Sequence, residues 1–519
     1  MELCDEYLHE YILITPTTND FFKFKKYENL RNIQPNYFSD DYYDKLNKLN
    51  KKYLKILGKK DNKNVYDKVL ERDLTYSLKY DEFKIYDYLP INAKSNFFFN
   101  IVSVIKGDFY FRIDNLNDVK IYIQRLKKLN VITDTIIKQF KKGIEKKVTM
   151  YYRCLDLMIK TFQNILKNKE YEFKKDIPGK NLLNEAINEY YVKNIHKLLI
   201  FFISEYYPHS SKKMGLHQYP GGKEYYKLIV QDFTLSYATP ENIHQLGKIE
   251  LKYLQKQKKL LVGKDEKKFI EKYEKKYSQK QKLKKLDALT DVLYKNVDNY
   301  FHKNLNKNEL YKIKQSPEES NSSAYYYPSD FNREKKGTFY INLKKDFDFN
   351  ELLTLSLHEG LPGHHYQIER LRKDENVPNY IKYFDNTSYA EGWGLYSENL
   401  YEYKNKGEYY HKLKYSILRA CRLILDTGIH YYGWDYEKCL KFFNKNINPE
   451  SSNEFLRYIS YPGQALCYKI GEKVFLFLKD EYLKKNIELK DFHEIVLSYG
   501  PIPLDILIHE MKKKYMCKL

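Results

Sequence analysis

The sequence predicts a large, mainly α-helical protein with one small β element. Three observations carry that prediction. Apolar residues recur at spacings of three and four over 43–58, 117–145, 149–168, 182–205, 243–261 and 266–303. Glycine (20) and proline (15) are few for 519 residues, and they mark brief breaks such as Pro178-Gly179, Pro220-Gly221-Gly222 and Pro240. Only TFYINL (338–343) has the short, alternating pattern of a strand. A chain of this length can bury a large core.

Taken in order, residues 1–210 read as a helical scaffold without a chemical motif. Residues 211–519 carry the chemistry, and the two parts are expected to form one continuous fold. The run 273–287 is a charged helix face rather than a tail. Residues 314–337 read as a loop, which leads into the strand 338–343. The segment 350–360 returns to helical spacing and ends in His358-Glu359.

Composition removes several function classes. The net charge is +21, yet only 11 of the 90 basic residues are arginine. Lysine and tyrosine (54 residues) are spread along the whole chain, so the charge reads as a solvated surface and no nucleic-acid partner is expected. No apolar run approaches 18 residues, so no membrane-spanning helix is expected. Six cysteines without a CxxC pair argue against a disulfide scaffold and a cysteine-rich zinc site. The first residues, MELCDEYLHEYILITPTT, lack the basic start of a signal peptide. These features lead to the expectation of a cytoplasmic protein with reduced thiols. Its oligomeric state is not legible.

The sharpest signal is HEGLPGHH at 358–365, followed 33 residues after His358 by Glu391 in YAEGWGLY (389–396). A catalytic zinc takes two neutral imidazoles and one carboxylate and keeps a fourth position open for water. It also needs a second carboxylate beside that water as general base. His358, a later histidine and Glu391 supply the ligands for one Zn²⁺ per chain, and Glu359 supplies the base. Proline occupies position 362, where a helical HExxH would place its second histidine, and it removes the helical bond to the His358 carbonyl. Either Pro362-Gly363 is an insertion that puts His364 in the second ligand's place, or Pro362 opens a new segment with His364 and His365 in its first turn. His364 is the favoured ligand; on an unbroken helix His365 would lie about 10.5 Å along from His358. His365 then acts as a supporting or transition-state group.

With these motifs the sequence resembles a large, mostly bacterial family of zinc metallopeptidases long registered as a domain of unknown function. That family's signature is HExxPGHH followed by EGW. The likeness extends to GGKEYYKLIV (221–230), TPENIHQLGKIEL (239–251), GTFYINL (337–343), YPGQALCYKIG (461–471) and GPIPLDIL (500–507). The family is similar in layout to the gluzincin peptidases, which implies a large helical fold with a deep central channel and a small sheet beside the histidine helix. In peptidases of that layout such a strand is the substrate-binding edge, which points to Phe339, Tyr340, Ile341 and Asn342.

In the 457–468 block, Arg457, Tyr461, Gln464 and Tyr468 fall at helical spacings. Tyr468 is the candidate donor to an oxyanion. Arg457 is the candidate fork for a substrate carboxylate, with Gln464 beside it. Trp393 and Tyr396 read as core or pocket wall, and His217 is an outlying candidate. The expected function is zinc-dependent hydrolysis of short peptides. The alternatives are a peptidase-fold binding or scaffold protein without activity, and a basic helical protein that binds nucleic acid.

Overall fold

The structure is a computed structural model that describes residues 2–516 except 95, 317–322, 333–334, 343–347 and 448–453. Leu343 of the predicted strand and Cys517 lie outside the described residues. The protein is mainly helical, with one three-stranded sheet among the described residues. Among the described residues, no helix is long and apolar enough to cross a membrane.

The chain forms two compact units. Unit 1 comprises Met1–Leu228, Ile429–Cys439 and Ser451–Pro462. Unit 2 comprises Ile229–Gly428, Leu440–Glu450 and Gly463–Leu519. The boundary expected at residue 210 therefore falls inside unit 1, which two later segments complete.

Unit 1 is helical throughout its core, as the periodicity predicts. The stretch 117–145 is two helices, Leu116–Leu126 and Leu129–Glu145. The helix Tyr152–Lys167 buries Leu155, Met158 and Phe162, one stripe at helical spacing. Within this core Arg125 donates two hydrogen bonds to Asp20, at 2.6 and 2.8 Å.

Unit 2 holds the sheet and the motif helices. The predicted helix 266–303 is interrupted. It runs as Glu266–Tyr273 and Gln279–Tyr300, because Ser278 and Gln281 form a capping box that starts the second helix. The sheet consists of β1 (Lys312–Gln315), β2 (Ala324–Tyr327) and β3 (Thr338–Ile341), in the order β1-β3-β2. β1 is parallel to β3, and β2 is antiparallel to it, with Tyr325 opposite Tyr340. The stretch read as a loop thus contains a strand, AYYY.

This topology corrects the reading of the substrate edge. β3 is the central strand and is paired on both sides, so Phe339–Asn342 offers no free edge. Phe339 and Ile341 are wholly buried, Tyr340 stacks on Tyr325 at 4.9 Å, and the Asn342 amide donates to the Ser323 carbonyl. Among the described residues the outer strands of the sheet are β1 and β2, and the outward Tyr326 amide of β2 is bonded to Glu359.

Candidate metal centre

The helix Glu351–Glu359 is buried on every side from Leu352 to His358, as a central helix must be. It ends at Glu359, before a cis Leu361–Pro362 bond, and the next helix, His364–Lys373, begins at His364. Both histidines thus stand in the first turn of a new segment, and the ring that turns toward His358 is that of His364. The turn is tight at Gly363. A Cβ there would lie 1.9 Å from the His358 carbonyl oxygen, so glycine alone fits this approach. Trp393 fixes the turn from above by donating to the Pro362 carbonyl at 3.0 Å.

The third group comes from the helix Thr387–Ser397, which Asn386 caps through the Tyr389 amide. Glu391 Oε2 lies 3.4 Å from His358 Nε2 and 3.5 Å from His364 Nε2. One ligand atom from each of the three residues falls within 4.8 Å of the others. The two rings meet edge to face, with centroids 4.8 Å apart.

Sequence reasoning missed Glu398. Its carboxylate accepts from His358 Nδ1 at 2.9 Å, which turns Nε2 toward Glu391. Arg419 Nη2 stands 3.7 Å behind that carboxylate. The signal was present: Glu391, Gly394 and Glu398 fall at +3 and +7, one helical face. Gly394 supplies the clearance between them, since a Cβ there would meet His358 Cε1 at 2.6 Å.

Burial opposes a charge on His358, but the carboxylates of Glu391, Glu398 and Glu359 outweigh it and raise the imidazole to about 10. Glu391 is held well below the usual carboxylate range, because the two imidazoles overcome its desolvation. The cluster is thus built to share positive charge. Two imidazoles, one carboxylate and a carboxylate behind His358 form a donor set that fits a zinc ion.

The remaining candidates are placed as follows. Glu359 accepts the Tyr326 backbone amide at 2.9 Å, between the cluster and β2. Tyr468, on the helix Cys467–Leu483, lies nearly parallel to the His358 ring at 6.5 Å, and the Arg422 guanidinium covers its ring at 4.6 Å. Gln464 is buried in the short turn Gln464–Leu466 of unit 2. Arg457 belongs to unit 1 and stands 3.9 Å from Glu454, whereas the cluster is built within unit 2. His217 also belongs to unit 1, with Nδ1 on the Ile429 carbonyl.

His365 requires a correction. Its ring is wholly buried, with Nδ1 on the Tyr326 hydroxyl at 2.9 Å and its edge against Tyr311. Burial pushes it down to about 3. A ring so enclosed cannot reach a substrate, so the expected transition-state role falls away, and what the ring supports is Tyr326 of β2. Trp393 and Tyr396 are core residues, with Tyr396 bonded to His493 at 2.7 Å.

Fold and site together define a mainly helical protein that gathers two histidines and a glutamate around one point. The chain belongs to the family described as "Bacterial protein of unknown function (DUF885)", which matches residues 27–511. It is similar in fold to two solved structures. One is a "putative lipoprotein" of Colwellia psychrerythraea, with a TM-score of 0.87 and 19% identity over 99% of this chain and 98% of that one. The other is a "putative lipoprotein of unknown function" of Shewanella oneidensis, with a TM-score of 0.72 and 15% identity over 98% and 99%. A comparison with curated proteins returns no match. The cytoplasmic placement expected from the sequence does not stand, because both of these solved structures are described as lipoproteins.

Proposed function

We propose that the protein is a zinc-dependent hydrolase of short peptides. The observation that carries this reading is the convergence of His358, His364 and Glu391, with Glu359 beside them and Glu398 behind. A zinc ion held by those three residues would supply Lewis acidity and acidify a water. Glu398 holds the His358 tautomer that presents Nε2. Glu359 Oε2 is engaged by the Tyr326 amide, which leaves Oε1 to take a proton from water and return it to the leaving amine. The Tyr468 hydroxyl is the donor assigned to the oxyanion. β2 is the outer strand beside Glu359, so an extended peptide would lie along it rather than on β3, with the Tyr326 amide kept by Glu359.

The deciding experiment compares wild type with Glu359→Gln on a library of short synthetic peptides read by mass spectrometry. Wild type should carry one zinc per chain by elemental analysis and cleave a subset of the library. The variant should keep its zinc and lose at least about 100-fold in turnover, the low end for a general base. Equal turnover in both proteins removes Glu359 as the base. A zinc-loaded wild type that cleaves nothing rejects the hydrolase reading.

A further inference from the structure

A cavity in unit 2, of about 480 Å³, is lined by Glu250, Asn399, Lys412, Lys469, Glu472 and Lys473. Three lysines face two glutamates, and both glutamates are already engaged. Lys469 pairs with Glu472, whose other oxygen accepts the Asn399 amide at 2.9 Å. Lys473 pairs with Glu250. Lys412 is left with one amide oxygen, Asn399 Oδ1 at 2.7 Å, and with the rings of Tyr403 and Tyr409 at 5.2 and 5.9 Å. It forms no ion pair among the described residues.

A largely buried ammonium with one hydrogen-bond acceptor is under-satisfied, since it has three donors and its charge has lost water. Burial lowers its proton affinity below the usual lysine range, although the carboxylates of Glu398 and Glu472 act from beyond ion-pair distance to raise it. The walls around it are apolar: Ile249, Leu254, Leu413 and Leu476, with the ring of Tyr253. The cavity therefore presents an ammonium without a carboxylate in ion-pair contact, beside apolar side chains.

We propose that this cavity binds a small organic monocarboxylate, with its carboxylate on Lys412 and its apolar body against the leucines. A phosphate carries more charge than the single open ammonium answers, and it has no use for those walls. The cavity is distinct from the metal centre, although Glu398 acts on both Lys412 and His358, and its test needs neither zinc nor hydrolysis.

Isothermal titration of the full chain with phenylacetate, and separately with inorganic phosphate, tests the assignment. Wild type should bind phenylacetate with a Kd of about 1 mM or below, the contribution of one charge-assisted contact in a small ligand, and should bind phosphate more weakly. Lys412→Met should weaken phenylacetate at least about tenfold, and Lys412→Arg should retain most of the affinity. No binding by wild type, equal binding by Lys412→Met, or phosphate binding tighter than phenylacetate overturns the proposal. Acetylation of wild-type lysines by acetic anhydride, mapped by mass spectrometry, gives a readout that needs no variant. Phenylacetate should slow modification of Lys412 and leave the exposed Lys484 unchanged. An unchanged rate at Lys412 also overturns it.

Discussion

His364 and His365 are neighbours in sequence with opposite fates. One ring points at Glu391, and the other is sealed beneath β2 against Tyr311 and Tyr326. His364→Ala should therefore empty the proposed zinc site, whereas His365→Ala should leave it loaded and lower thermal stability by the cost of a buried cavity. Zinc per chain after dialysis distinguishes the two, and a loaded His364→Ala protein would show that the ligand set is misassigned. Glu398 acts one step further out. It orients His358 without touching the ion, so Glu398→Gln should weaken zinc about 10–100-fold rather than abolish it. A competition titration with a chromogenic chelator measures that loss; full retention of affinity would leave Glu398 no role in the site. The candidate ligands were legible because few chemistries place two histidines and a glutamate after a leucine-rich helix. Glu398 is legible only through its +7 spacing from Glu391. The sealing of His365 was not legible, because it depends on a strand that comes from elsewhere in the chain.

Helices were legible and their partners were not. Periodicity located the helices of both units because an apolar stripe is a local property. It did not locate β2, whose AYYY lies in a tyrosine- and serine-rich run with no alternation, nor the central place of β3, which rests on pairing with β1 across the intervening loop. The approach of one helix to another is similarly non-local, but here it leaves a trace. The helix Thr387–Ser397 comes against His358 at Gly394, where a Cβ would stand 2.6 Å from the ring. Gly394→Ala must therefore displace either the ring or the helix. Overpacking of this kind costs about 1–3 kcal/mol, partly offset by alanine's better helix propensity. The variant should show a lower thermal midpoint together with reduced zinc per chain. A protein that holds zinc as wild type does would mean that the helix yields without moving Glu391 or Glu398.

At the scale of the whole molecule, unit 1 is completed by segments that return from late in the chain, and His430 shows how one of them is held. Its Nδ1 accepts the Leu216 amide at 3.1 Å, and its Nε2 donates to the Tyr458 carbonyl at 3.0 Å, all within unit 1. Only the neutral ring can make both bonds, since a protonated Nδ1 would face another donor. Burial pushes His430 down to about 3. In unit 2, burial likewise lowers His493 to about 4, and its Nε2 meets the Tyr396 hydroxyl at 2.7 Å. Both folded values lie below the unfolded value of about 6.5. The unfolded chain therefore binds more protons in the interval between them, and stability falls with falling pH. The contribution is fully present above about pH 6.5 and declines by about 1.4 kcal/mol per pH unit for each histidine until the folded values are reached. The +21 charge adds self-repulsion in the same direction. Urea unfolding at pH 7, 6 and 5 should show this decline, and His430→Gln, which cannot take up the proton, should flatten it by about one proton's slope. A stability that is level from pH 7 to 5, or a slope unchanged in His430→Gln, would mean that His430 is not held neutral by the fold.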